Sequence, residues 1–160
     1  AESGLHALYH EIARLNFEAK FSAKGEISPL QGGQISNLEL QDLQIVAYKD
    51  AFLDVINDDL NTPKALAVIW DLLGDKETLP KNKLELLFEF DEVLGLKFKE
   101  TVRFSRPPAK VGNLVKEREK YRANKQFVQA DRLRKRAEAL GYTIEDTTYG
   151  PFVWQDKVKS

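Results

Sequence analysis

The chain has 160 residues, 42% hydrophobic and 31% charged, enough for one ordinary core or one core plus a small appended unit. It contains no cysteine, which excludes disulfides, thiolate zinc sites and cysteine nucleophiles, and no apolar run approaches the roughly 20 residues that cross a membrane. The net charge of −1 hides an asymmetry: from Lys110 to Arg136 ten Lys and Arg stand against three acidic residues, a local +7 that leaves −8 for the remainder.

In chain order, residues 3 to 20 read as a helix, with Leu5, Leu8, Ile12 and Leu15 on one stripe and Ser3 as N-cap. His6 and His10 share its surface at i,i+4 spacing but lack the intervening glutamate of a zinc-protease motif, so they read as solvated polar residues. Ser22 to Asn37 has loop chemistry, with Gly25, Pro29, Gly32 and Gly33. A second helix is expected from about Leu38 to Asn57, with Leu43, Ala47, Ala51 and Val55 facing inward. Thr62 before Pro63 marks the start of a third, a hydroxyl cap followed by proline where no amide hydrogen is needed; Gly74 ends it. The fourth spans about Lys81 to Leu94, stops at Gly95 and, with LELLFEF apolar on more than one face, belongs at the centre of the bundle. The fold class is therefore mainly α, an antiparallel helical bundle over 1–95. Residues 96–109 read as a linker, because Arg106-Pro107-Pro108 forbids helix there.

The remainder, 110–160, reads as a small α/β tail. Val111, Leu114, Val115 and Tyr121 support a helix to Ala123, and Asn124-Lys125 marks a tight turn. A second helix runs from about Gln126 to Leu140, with Ala130, Leu133, Ala137 and Leu140 facing inward. Gly141 caps it, and Tyr142 to Glu145 and Pro151 to Gln155 can pair as a β-hairpin. This helix-turn-helix plus hairpin is too small to stand without the bundle.

The basic block is the electrostatic footprint of a polyanion, although a solvated helix face has the same composition. On the last helix Phe127, Asp131 and Arg134 fall at i, i+4 and i+7, sharing one face, and Arg122 lies just before the turn. An exposed aromatic, a carboxylate and guanidinium groups suit an unstacked RNA base: the ring stacks while the polar groups read its edge. The alternative is that Phe127 packs under the turn and Asp131 pairs with a neighbouring arginine. Asp54, Asp58 and Asp59 lack the spacing of a calcium loop, and Asp58-Asp59 reads as part of a turn. No P-loop, nucleophile elbow or glycine-rich fingerprint occurs, so no catalytic constellation and no metal site is expected.

Two stretches carry a resemblance. DDLNTPKALAVIWDLL, and Arg122-Ala123-Asn124-Lys125-Gln126-Phe127 with Ala130-Asp131-Arg132-Leu133-Arg134, Gly141 to Asp146, Gly150 and Trp154, resemble the C-terminal half of cysteinyl-tRNA synthetases. The resemblance implies a bundle of the class I synthetase anticodon-binding type, from a cytoplasmic, monomeric ligase that joins cysteine to its tRNA. It implies that ATP and zinc belong to a catalytic domain whose H-I-G-H and K-M-S-K-S signatures are not present here, so that this piece itself takes no cofactor. The absence of methionine and the start at Ala1 fit a piece of a longer protein. By position in the family's motifs, Arg122, Phe127, Asp131 and Asp146 are expected to contact the anticodon. Lys116, Lys120, Lys125, Arg132 and Arg134 are expected on the tRNA backbone. The family often has tryptophan where Phe127 stands, and nothing in the resemblance assigns a role to 22–37. A paralogous cysteine:amino-sugar ligase and a helical protein-interaction module are the rival readings; the A-D-x-L-R helix and the Glu145-Asp146 hairpin argue against the first.

Overall fold

A computed structural model describes residues 2–22, 37–104 and 107–155. Seven helices and one antiparallel hairpin are found among them: α1 Glu2–Ser22, α2 Asn37–Asn57, α3 Thr62–Gly74, α4 Pro80–Leu94, α5 Phe98–Phe104, α6 Ala109–Ala123, α7 Phe127–Ala139, β1 Tyr142–Thr147 and β2 Gly150–Gln155. The fold is mainly helical, as expected. The chain divides into two compact units, 1–100 and 101–160, with the division inside α5. The loop expected between Ser22 and Asn37 lies outside the described residues, as does Arg106.

In the first unit α1 packs on α4, and α2, α3 and α4 pack on one another. The short connections 58–61 and 75–79 turn the chain back on itself between consecutive helices. Leu8, Ile12 and Leu15 of α1 are buried as the stripe requires, while Leu5 lies exposed at its end. α1 begins at Glu2, so the backbone of Ser3 lies within the helix. In α4 Lys83, Leu84, Leu86, Leu87 and Phe90 are all buried, consistent with its central place. Its end at Gly95 uses a left-handed backbone, φ 67°, which glycine adopts without a Cβ penalty.

The inward face of α2 differs from expectation. Leu43 is 60% exposed and Ala47 and Ala51 are also exposed; the buried residue is Phe52, whose ring stacks on Phe90 of α4 at 4.0 Å between centroids. Gln41 explains the rotation: its Oε1 accepts from Leu79 N at 2.9 Å and its Nε2 donates to Glu77 O at 2.6 Å. The glutamine satisfies backbone groups where α4 begins without a side-chain cap of its own, so it faces the bundle although it is polar. Helix α3 is capped one residue earlier than expected, by Asn61, whose side chain accepts from Lys64 N; Thr62 Oγ1 donates to Leu60 O instead. Pro63 keeps its place in the first turn.

The stretch read as a linker contains α5 and begins inside the bundle. Phe98 is fully buried, its N–H donates to Asp91 Oδ2 at 2.7 Å, its ring meets Tyr9 edge-on, and Tyr9 Oη donates to Leu96 O at 2.9 Å. The sequence cue was Pro107-Pro108, which sit beyond α5, at the start of α6.

The second unit has one core: Val111, Leu114 and Val115 from α6, Leu133 and Ala137 from α7, Ile144 and Val153 from the hairpin, with Tyr121 and Tyr142 packed against it. Each such aliphatic side chain contributes roughly 1.5–3 kcal/mol on burial. Leu140, expected inward, is the exposed C-cap residue of α7. The hairpin pairs Tyr142 with Gln155 through to Thr147 with Gly150, leaving the two-residue loop Thr148-Tyr149, after which Gly150 takes φ 116°.

Candidate nucleic-acid interface

The residues of interest lie on three adjoining elements of the second unit: the end of α6, the start of α7 and β1. α6 and α7 are joined by a tight helix stop. Gln126 N donates to Tyr121 O at 2.8 Å and Lys125 N to Arg122 O at 2.9 Å, the paired bonds of a Schellman turn. The left-handed position that glycine usually fills is taken by Lys125, φ 58°. The stop sets Arg122 at the end of one helix and Phe127 at the start of the next.

Phe127 is 58% exposed and the adjacent Val128 is 64% exposed, so the aromatic does not pack under the turn. Asp131 and Arg134 follow it at i+4 and i+7, both exposed, while Ala130, Leu133 and Ala137 turn inward. Among the described residues Asp131 forms no ion pair or hydrogen bond to another side chain, whereas Arg134 pairs with Glu138 at 3.2 Å. Arg132 is exposed about 100° further round the same helix.

Asp146 has a different setting. Its Oδ1 and Oδ2 accept from Arg118 Nη1 and Nη2, each at 2.9 Å, and Oδ2 lies 3.1 Å from Arg122 Nη1. Arg118 is only 2% exposed and also meets Glu119 at 2.6 Å. The hydrogen bonds from Arg118, aided by the charges of Arg118, Arg122 and Arg134, hold the Asp146 carboxyl below the usual carboxylate range despite partial desolvation. The same bonds push the Arg118 guanidinium up from its ordinary value, so the pair is fully charged at neutral pH. Helix α7 packs against β1, and the charge of Arg134 acts on Asp146.

Of the expected positions, Arg122 contacts Asp146, while Phe127 and Asp131 share one face of α7 with Arg134. Lys116 and Lys120 are on another side of α6, where with Asn113, Glu117, Tyr121 and Asn124 they line an open depression of about 530 Å³. Sequence reasoning counted Arg118 only as one charge in the basic block. A signal was present: Val111, Leu114, Val115 and Arg118 fall at i, i+3, i+4 and i+7, which puts an arginine on the core-facing stripe. A buried arginine needs a paired anion, and Asp146 supplies it.

The zinc that the family resemblance implies for a catalytic domain finds no suitable donors here. The chain has no cysteine, and among the described residues no group of three or more His, Asp and Glu is placed to hold a metal. Asp58 pairs with Lys64 at 3.2 Å, and Asp59 adopts a left-handed turn conformation. No helix among the described residues is long and apolar enough to cross a membrane.

Residues 51–99 match the DALR domain family, a stretch that runs from within α2 to the start of α5 and includes the DDLNTPKAL turn. The chain is similar to the cysteine–tRNA ligase of Borrelia turicatae, with 37% identity over 110 residues, covering 64% of this chain and 23% of that protein. Cysteine–tRNA ligase 1 of Burkholderia lata is 43% identical over 101 residues, covering 59% and 20%. The cysteine–tRNA ligase of Symbiobacterium thermophilum is 28% identical over 155 residues, covering 91% of this chain and 31% of that protein. The chain therefore spans less than a third of the length of these curated relatives. The chain is thus similar to a DALR-containing part of cysteine–tRNA ligases.

Proposed function

We propose that the chain binds the tRNA of a cysteine–tRNA ligase, and that its second unit reads the unpaired bases of the anticodon. The observation that carries this reading is the exposure of Phe127 on a helix face shared with Asp131 and Arg134. Packing within the unit does not account for a large aromatic held more than half in solvent beside Val128. A base stacked on that ring would bring its polar edge to the carboxylates and guanidinium groups alongside.

In this reading Phe127 stacks on a base, Asp131 and Asp146 accept from base N–H groups, and Arg122 donates to base acceptors. Lys116, Lys120, Lys125, Arg132 and Arg134 meet phosphates, which supplies affinity without sequence preference. The bundle of the first unit supports the tRNA body. Ligation itself, with the ATP and zinc implied by the family, belongs to regions of the longer relatives that this chain does not match. One copy of the chain serves one tRNA, in the cytoplasm.

Chemical probing of cysteine tRNA bound to the chain tests the reading. Protection of the anticodon bases is the expected result. Protection confined to the acceptor stem, or none at saturating protein, contradicts it. A second reading draws on α2, where Leu40, Leu43, Val46 and Leu53 are exposed. Such an apolar face suits docking of another protein, and association that persists after nuclease treatment would support that reading.

A further inference from the structure

Arg118 is too deeply buried for an RNA outside to touch it, yet it governs two groups that an RNA can reach. Its Nη1 and Nη2 grip the two oxygens of Asp146 at 2.9 Å each. Two parallel bonds between planar groups fix the plane of the carboxylate as well as its place. Arg122 Nη1, 3.1 Å from Oδ2 of the same carboxylate, is steered in turn.

The acceptor inventory sharpens the consequence. An ionised carboxylate offers about four lone-pair positions. Arg118 takes one on each oxygen, so each oxygen keeps one position, with the Arg122 charge lying 3.1 Å from Oδ2. Arg122 keeps the N–H groups that do not point at Asp146. The pair therefore presents carboxylate acceptors of fixed direction beside a guanidinium edge, a pattern that suits base N–H donors next to a base acceptor.

We propose that Arg118 is a positioning residue for base recognition: by clamping Asp146 beside Arg122, it fixes the direction of the acceptors that select the base. The inference rests on the anticodon reading above and adds to it a residue that makes no RNA contact. It explains why an arginine occupies a core-facing position of α6, where an aliphatic residue would pack without desolvating a charge.

The test compares the full chain with R118K, which keeps the charge and the aliphatic stem but loses the fork, and with Arg118→Met, which keeps only the stem. Binding is measured to the anticodon stem-loop of cysteine tRNA and to three versions, each with one anticodon base exchanged. Wild type is expected to prefer the cognate loop. Both variants are expected to lose about tenfold or more of the preference at one anticodon position. Preference at the other two positions, and the slope of affinity against salt, should be kept, because Arg118 meets no phosphate. A merely structural role would instead lower affinity for all four loops alike, in step with the unfolding temperature. Either that uniform loss or full preference at all three positions in both variants overturns the inference while the anticodon reading stands. A wild-type chain indifferent to every exchange overturns the anticodon reading, and this inference with it.

Discussion

The guanidinium of Arg118 and the carboxylate of Asp146, 28 positions apart in sequence, meet through two parallel hydrogen bonds of 2.9 Å. The two partners are unequally buried: Arg118 lies in the core, while the Asp146 side chain is nearly half exposed. Removing either one therefore has a different cost. Asp146→Ala leaves a buried cation with Glu119 alone, and is expected to lower unfolding stability by about 2–3 kcal/mol, somewhat less than for a fully buried pair. Arg118→Met replaces the cation with an apolar side chain of similar reach, and is expected to change stability by less than about 1 kcal/mol. Urea unfolding of both variants measures the asymmetry; equal losses would contradict it.

Protonation offers a second view of the same pair. The Asp146 pKa is lowered in the folded state, so its contribution to stability is complete above the unfolded carboxylate value near 4. The contribution disappears only as pH falls through the lower folded value. Carbon-detected NMR titration of the Asp146 carboxyl should show its midpoint below that of an ordinary aspartate. In Arg118→Met the midpoint should move up, since the first cause of the shift is gone.

Phe127 contributes little to folding because most of its ring is in solvent. Phe127→Ala should leave the unfolding temperature within a degree or two, yet cost about 1–3 kcal/mol in RNA binding from lost stacking. Phe127→Trp, with a larger ring, should bind at least as well as wild type. Fluorescence anisotropy with a labelled anticodon stem-loop, beside a thermal melt, separates the two effects.

Lys125 occupies the left-handed position of the stop between α6 and α7. Lys125→Gly relieves that backbone and should raise stability by about 0.5–1 kcal/mol. If the lysine also meets a phosphate of the RNA, the same variant binds more weakly, with the salt slope reduced by about 0.7. Opposite movements of stability and affinity in one variant are the expected signature.

Much of the architecture was legible because the cues were local. The end of α4 at Gly95, Pro63 in the first turn of α3, the stop at Asn124-Lys125 and the inward stripe of α7 all depend on neighbours within a turn. The face of α2 was not legible, since apolar residues recur on both sides of that helix and the choice is made by Gln41 bonding to a loop 38 positions away. α5 was missed because Pro107-Pro108 advertised a break, while the contacts that order Phe98 come from Tyr9 and Asp91. At the candidate interface, helical spacing was enough to gather Phe127, Asp131 and Arg134 on one face. The long-range pairing of Arg118 with Asp146 needed the hairpin folded against α6, which no spacing rule reports.

The central claim is that the second unit distinguishes the anticodon of cysteine tRNA from others. It is tested most directly by the dissociation constants of the unmodified chain for cysteine tRNA and for the same tRNA carrying another anticodon, measured across a salt series. The expected result is tighter binding of the cognate tRNA by about tenfold or more at every salt concentration, with parallel slopes, since phosphate contacts are shared and base contacts are not. Equal constants for the two tRNAs throughout the series would contradict it.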